Sequence, residues 1–254
     1  MIDEQKKIYD EIYTKGSREI LSGYEYARWH ALRHFISKVI KLQNNKMVLD
    51  YGCGNGLFVG LFKEIFYKAE LYFCDISSVA LEQLQNKYPE YRANCVEIKE
   101  NKTQFKDGMF DVIVSVEVME HAEKLDDYLM EIYRLLRKGG VFVWTTPCGN
   151  PFSIEDIWGK LTAQIEKTRE GYVRWKWESP THLRRLKSKE IREKLISIGF
   201  NSVDFRFRAH LFSFLCTYFF RGPLRSIGEK IMLLDYKVFR RFSNGASMLG
   251  CATK

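Results

Sequence analysis

The opening residues predict no secretory leader: Met1 to Lys15 is polar and charged, without the apolar centre that a signal requires. No apolar run is long enough to cross a bilayer; Leu211 to Phe220 is nearly all apolar but ends after ten residues. The six cysteines, Cys53, Cys74, Cys95, Cys148, Cys216 and Cys251, include no Cys-x-x-Cys pair. That spacing disfavours a zinc ribbon or a disulfide scaffold and suits buried thiols in a reducing compartment. Internal repeats and low-complexity tracts are also lacking, and at 46% hydrophobic residues the chain is no disordered polymer. These absences predict a cytoplasmic globular protein. Its 254 residues suffice for one sizeable core, within the range of undivided α/β domains.

What is present is concentrated in two short stretches. Met47-Val48-Leu49 is an apolar run suited to a buried parallel strand, and Asp50-Tyr51-Gly52-Cys53-Gly54-Asn55-Gly56 follows it directly. Three glycines in five positions mark a sharp turn whose backbone a ligand can approach. Leu57 to Tyr67 then reads as a helix, and Leu71 to Cys74 as a second strand with Asp75 at its C-terminal end. In open α/β sheets ligands bind outside the C-terminal strand ends, and an acid about 20 residues past the glycines holds ribose hydroxyls. A dinucleotide fingerprint would need a third glycine where Leu57 stands. The leading carboxylate of Asp50 suits a ligand bearing an ammonium or sulfonium group.

Asp50 followed by Gly52-x-Gly54-x-Gly56, with Asp75 one strand on, resembles the first motifs of the class I S-adenosylmethionine-dependent methyltransferases. The resemblance extends through Phe110-Asp111-Val112-Ile113-Val114-Ser115, the fourth strand. It continues in the helix Leu125 to Leu136, a glycine stop at Arg137-Lys138-Gly139-Gly140, and the fifth strand Val141 to Thr145. It covers residues 46 to 147 well, resumes from Ser179 to Arg208, and is poor at the N-terminus and over 211–243. It implies a three-layer Rossmann-like sandwich with a seven-stranded, mostly parallel sheet, order 3-2-1-4-5-7-6, strand seven antiparallel. Helical cap and insertion segments complete a single domain over 1–254. Within it, 1–45 is a helical cap, 46–148 the cofactor core, and 149–179 with 211–243 substrate-side insertions. For S-adenosylmethionine, the resemblance assigns Asp50, Tyr51, Gly52, Cys53, Gly54 and Gly56 to the methionine portion and Asp75 to the ribose. Ile76, Asn94 and Cys95 fall to the adenine, with Ser115 and Val116 at the end of strand four.

The sulfonium makes its methyl electrophilic, so the protein has to align the acceptor and exclude water; a hydroxyl acceptor also needs a base or a metal. His121, just after strand four, and His182, just before the helix preceding strand six, are the candidate bases, with Glu117 beside them. Glu117, Glu120 and His121 form Glu-x-x-Glu-His. This is similar to the metal-binding motif of ubiquinone-pathway O-methyltransferases and small-RNA 2′-O-methyltransferases. If the stretch is helical the two carboxylates share a face, and the set suits Mg²⁺ or Mn²⁺. No Asn/Asp-Pro-Pro-Tyr/Phe follows strand four, which lowers base N-methylation. The expected reaction is O-methylation of a small-molecule, glycan or lipid-linked acceptor. The alternatives are an RNA 2′-O-methyltransferase and a non-catalytic module that binds cofactor or a membrane surface.

Charge and aromatics point to the acceptor side. Residues 1–173 carry 23 Lys and Arg against 26 Asp and Glu, whereas 174–254 carry 17 against 6. Such asymmetry predicts an anionic partner for the C-terminal third, an RNA or an anionic membrane surface, with the protein in the cytoplasm or peripheral to the inner face of a membrane. In the N-terminal cap, Tyr26, Arg28 and His30 are candidates to reach the site. Residues 149–179 form a long connection holding Trp158, Tyr172, Trp175 and Trp177, expected to wall the acceptor pocket. After Pro223, Leu224, Ile227, Ile231, Leu234, Val238 and Phe242 fall on one helix face with a basic fringe. That stripe is expected to pack onto its own domain as a lid, the other reading being a membrane-surface helix.

Overall fold

The computed structural model describes residues 2–16, 23–40, 47–168, 173–179, 181–212, 216, 220 and 222–254. Two helices, α1 (Ile2–Thr14) and α2 (Gly23–Val39), precede the sheet. Then follow β1 (Met47–Tyr51), α3 (Val59–Ile65), β2 (Glu70–Asp75), α4 (Ser78–Lys87), β3 (Cys95–Glu97), β4 (Phe110–Val116), α5 (Leu125–Leu135) and β5 (Leu136–Pro147). The second half contributes α6 (Ile154–Leu161), the hairpin β6 (Ile165–Lys167) and β7 (Val173–Trp175), α7 (Ser188–Ile198), β8 (Ser202–Arg208), α8 (Arg225–Phe239) and β9 (Ser247–Thr253).

The main sheet has seven strands in the order β3-β2-β1-β4-β5-β9-β8, with β9 antiparallel to both neighbours and the rest parallel up to β5. This is the expected architecture; the numbering differs because the hairpin β6–β7 lies in the 149–179 connection. Successive strand residues point to opposite faces, and both faces are covered by helices, so the strands read as continuous apolar runs. Leu49, Ile113, Phe142 and Trp144 pack with α5 and α7, while Val48, Val112 and Val143 pack with α2, α3 and α4. Gly250 on β9 lies directly against the Trp144 ring, where a Cβ would overlap it.

Three local expectations fail for identifiable reasons. Helix α5 ends at Leu135, and Leu136 already pairs with Phe110, so Arg137 to Gly140 are extended chain rather than a helical cap. A register shift between Phe110 and Val112 accommodates them, with Gly139 at φ 75°. Strand β3 begins at Cys95, after a 3₁₀ turn over Pro89–Asn94, so Asn94 and Cys95, expected at the adenine, stand at the entry to the strand, away from the C-terminal strand ends. The third concerns α8. Its buried face carries Gly228, Met232, Asp235 and Tyr236, and Leu224, Ile227, Leu234, Val238 and Phe242 are exposed. A polar anchor sets that orientation: Asp235 accepts from the backbone N–H groups of His210 (3.0 Å) and Leu211 (2.8 Å), and the His210 ring lies 3.1 Å away. Tyr172, the Tyr26 side chain and most of the Leu211 to Phe220 run lie outside the described residues.

Candidate active site

Strands β1 and β2 run in register, Tyr51 beside Cys74, and end together at one edge of the sheet. There the chain turns through Gly52, whose N–H donates to the Cys74 carbonyl at 2.8 Å, as does that of Cys53 at 3.0 Å. Gly52 and Gly54 adopt φ of 78° and 53°, a region that disfavours L side chains. Asp75 holds the turn from the next strand: Oδ2 accepts from Gly54 N–H (2.8 Å) and Oδ1 from Ser77 N–H (2.9 Å). Each oxygen keeps a second lone pair for a ligand.

The turn forms one wall of a cavity of about 510 Å³. Asp50 lines it, is 2% exposed, and leaves Oδ2 without a hydrogen-bond partner. Burial, and then the neighbouring Asp75, push its pKa well above the usual carboxylate range. A buried, unpartnered carboxylate in the wall of a cavity favours a cationic guest, which relieves both the desolvation and the repulsion.

Helix α1 roofs the cavity. Gln5 Nε2 donates to the His121 carbonyl, Ser77 Oγ donates to Asp10, and Gln83 Nε2 donates to the Tyr13 carbonyl at 2.9 Å. Tyr9 and Tyr13, one turn apart, point into the cavity, and burial raises the pKa of both phenols. Sequence reading singled out neither; their i, i+4 spacing on a polar helix was the available signal.

The far wall is built by sewing two loops together. His121 Nδ1 lies 2.9 Å from the Thr181 carbonyl, Leu183 N–H donates to the Glu120 carbonyl at 2.9 Å, and Arg184 Nη2 donates to the Glu123 carbonyl at 3.1 Å. His121 and His182 consequently stand with ring centroids 4.8 Å apart. Because a carbonyl only accepts, Nδ1 of His121 carries the proton and Nε2 the lone pair. Burial, reinforced by His182, lowers the His121 pKa to about 4. Nδ1 of His182 lies 3.7 Å from Oε1 of Glu178. Burial alone would raise the Glu178 pKa, but His182 and Arg185 outweigh it and hold the carboxylate at about 2. Arg185 Nε donates to Glu178 at 2.7 Å. Glu178 also went unnoticed in the sequence, where it lies four residues before His182.

Of the residues proposed for the cofactor, Asp50, Tyr51, Gly52, Cys53, Gly54, Asp75, Ile76 and Val116 line the cavity. Gly56 does not, and packs against Leu84 and Val59. Ser115 lies beneath the wall, donating to the Tyr51 carbonyl (2.8 Å) and accepting from Tyr128 (2.9 Å). Asn94 and Cys95 are corrected: Asn94 Nδ2 donates to the Leu71 carbonyl, Cys95 bonds the Tyr91 carbonyl, and Ile98 and Asn101 take the cavity position instead. Glu117, His121, His182 and Arg28 line the cavity, and His30 does not.

The Glu-x-x-Glu-His stretch is a turn, not a helix, with Glu117 at φ 55°. Glu117 is committed to Arg28 Nη2 (3.2 Å) and Thr145 Oγ1 (2.8 Å). The ligand atoms that converge, within 4.8 Å, belong to Glu120, His121 and His182, so the trio read from sequence is replaced by one with His182 in place of Glu117. Glu120 is fully buried, accepts from Thr146 Oγ1 (3.0 Å), and has its pKa raised well above the usual range, by burial first and Glu117 second.

Residues 49–144 match the family described as methyltransferase domain, type 11. This segment is a class I S-adenosylmethionine-dependent methyltransferase domain. Among curated proteins, the tRNA (carboxymethyluridine(34)-5-O)-methyltransferase of Xenopus tropicalis is 27% identical over 54% of this chain and 20% of its own length. The sterol 24-C-methyltransferase of Debaryomyces hansenii is 34% identical over 43% of this chain and 30% of its own. The chain thus spans about a fifth to a third of these relatives. Among solved structures, the chain bound to the Trm112 methyltransferase activator of Haloferax volcanii superposes with TM-score 0.65, 17% identity and 96% coverage of both chains. The methyltransferase domain therefore shares its fold with relatives whose acceptors differ: a nucleoside oxygen in one, a sterol carbon in another.

Proposed function

We propose that the chain transfers a methyl group from S-adenosylmethionine to an oxygen of a small-molecule, glycan or lipid-linked acceptor. The observation that carries this reading is one cavity bounded on one side by the unpartnered Asp50 carboxylate and on the other by two facing imidazoles. The donor set fits: Asp50 answers a positive charge, the free lone pairs of Asp75 suit two ribose hydroxyls, and Ile76 offers an apolar surface to a base. When bound, S-adenosylmethionine supplies a methyl group on a positively charged sulfur. The chain contributes closure by α1, which excludes water, and orientation of the acceptor hydroxyl. His121, neutral through its low pKa, accepts a hydrogen bond at Nε2. His182, beside the ionised Glu178, takes the hydroxyl proton. Two imidazoles on the acceptor side favour oxygen over a free amine, which needs no comparable base.

The test is incubation with methyl-labelled cofactor and fractionated cell extract. Label is expected in a lipid, glycan or small-molecule fraction, and His182→Asn is expected to abolish it while cofactor affinity persists. Label in protein or RNA alone refutes the acceptor class.

A second reading, RNA 2′-O-methylation, is favoured by the convergence of Glu120, His121 and His182. These three would hold a divalent ion, with the unpartnered Oε1 of Glu120 as one ligand; the ion would polarise the acceptor oxygen. Loss of labelling in chelator, together with steeply salt-dependent RNA binding, would move the assignment there.

A further inference from the structure

Helix α8 carries its aliphatic side chains on the outside. Asp235, Tyr236 and Met232 face the protein, while Leu234 is 60% exposed and Ile227 and Val238 are exposed with it. Helix α6 repeats the pattern. Ile154, Ile157, Trp158 and Leu161 fall at i, i+3, i+4 and i+7, the spacing of one helix face, and all four are exposed, Leu161 at 79%. The opposite face of α6 is closed by Gly159, which packs on Trp175 and Trp177. Asn150 Nδ2 donates to the Ser243 carbonyl at 2.8 Å and Asn244 Nδ2 to the Phe152 carbonyl at 3.4 Å, tying the start of α6 to the chain just past α8. Phe152, 71% exposed, and Phe242, 60% exposed, lie at this junction.

Exposed Lys230, Lys237 and Arg241 flank the α8 stripe, and exposed Lys176 and Lys160, the latter paired with Asp156 at 2.7 Å, flank that of α6. We propose that this face docks on an anionic lipid surface, the two stripes entering the headgroup–acyl boundary and the basic side chains meeting lipid phosphates. The chemistry selects the occupant. A surface for nucleic acid puts its cations at the centre, whereas here the stripes are Leu, Ile, Val, Phe and Trp and the cations stand at their edges. A second copy of the chain would bring the same basic fringe against itself. Aliphatic side chains ringed by lysine, with Trp and Phe among them, match an interfacial helix. Among the described residues no helix is long and apolar enough to cross a membrane, so the contact is peripheral. The proposal specifies the anionic partner of the basic C-terminal third and stands apart from the assignment of the catalytic residues.

Co-sedimentation with phosphatidylcholine vesicles, with and without phosphatidylserine, tests it. The protein is expected to pellet with the anionic vesicles and to be released by salt. Leu234→Glu with Val238→Glu, and separately Leu161→Glu, are expected to weaken binding at least ~10-fold. S-adenosylhomocysteine affinity and melting temperature should stay unchanged, which separates loss of docking from loss of the fold or of the cofactor site. Failure of the parent protein to pellet, or equal pelleting of the variants, overturns the proposal. So does a dimer, or RNA binding, that the same variants abolish.

Discussion

The hydroxyl of Tyr13 stands over Gly54 so closely that a single methyl group at position 54 would overlap it. The roof helix and the glycine turn therefore touch where the sequence pattern calls for ligand approach, and Gly54 also adopts φ 53°. Gly54→Ala is expected to lower S-adenosylhomocysteine affinity at least ~10-fold through backbone strain and lost approach, with the fold retained. Calorimetry beside circular dichroism checks it; unchanged affinity would remove the turn from the site.

Asp75→Ala should weaken cofactor binding by roughly ten- to a hundredfold, the worth of a charge-assisted hydrogen bond. The variant also frees Gly54 N–H and Ser77 N–H, so Asp75→Asn, which can still accept, separates turn support from ligand contact. If both bind as tightly as the parent, the ribose assignment fails.

His121 should remain neutral down to about pH 4, against an ordinary value of 6.5. Between those values the unfolded chain binds the proton more readily than the folded one, so stability rises with pH across that window and is lost as pH falls through it. The full difference corresponds to ~3 kcal/mol as an upper bound. Imidazole resonances followed by NMR check the titration. A midpoint near 6.5, or an unflattened slope of melting temperature in His121→Asn, contradicts it.

Gly250→Ala should cost about 1–3 kcal/mol, because the added methyl overlaps the ring of fully buried Trp144 and the antiparallel pairing of β9 with β5 leaves no room to shift. Chemical denaturation measures this. An unchanged midpoint would mean that Trp144 can repack.

Much of this was legible in the chain. The strands of the core are apolar runs buried on both faces, so β1, β2, β4 and β5 were recognisable, while the order of the sheet came from the family resemblance. Asp50 and Asp75 could be placed because each sits at a strand end, where topology alone fixes its position. Asn94 was misplaced because β3 is only three residues long and a 3₁₀ turn precedes it. The fit of Tyr13 over Gly54, and of Glu178 beside His182, depends on how distant segments dock, which periodicity does not encode. Hydrophobic spacing also misled at α8, where one buried aspartate with two backbone donors decided which side faces inward.

The roof over the cavity is latched by side-chain hydrogen bonds, Gln5 to His121, Ser77 to Asp10 and Gln83 to Tyr13, rather than by a wedge of apolar packing. Water can replace every one of those bonds at little free-energy cost. Guest exchange is therefore expected to need no melting of the sheet, only release of these bonds and of the Lys6–Glu97 ion pair beside them. The bolt at Gln5 grips His121 itself, so the door and the acceptor wall come loose together.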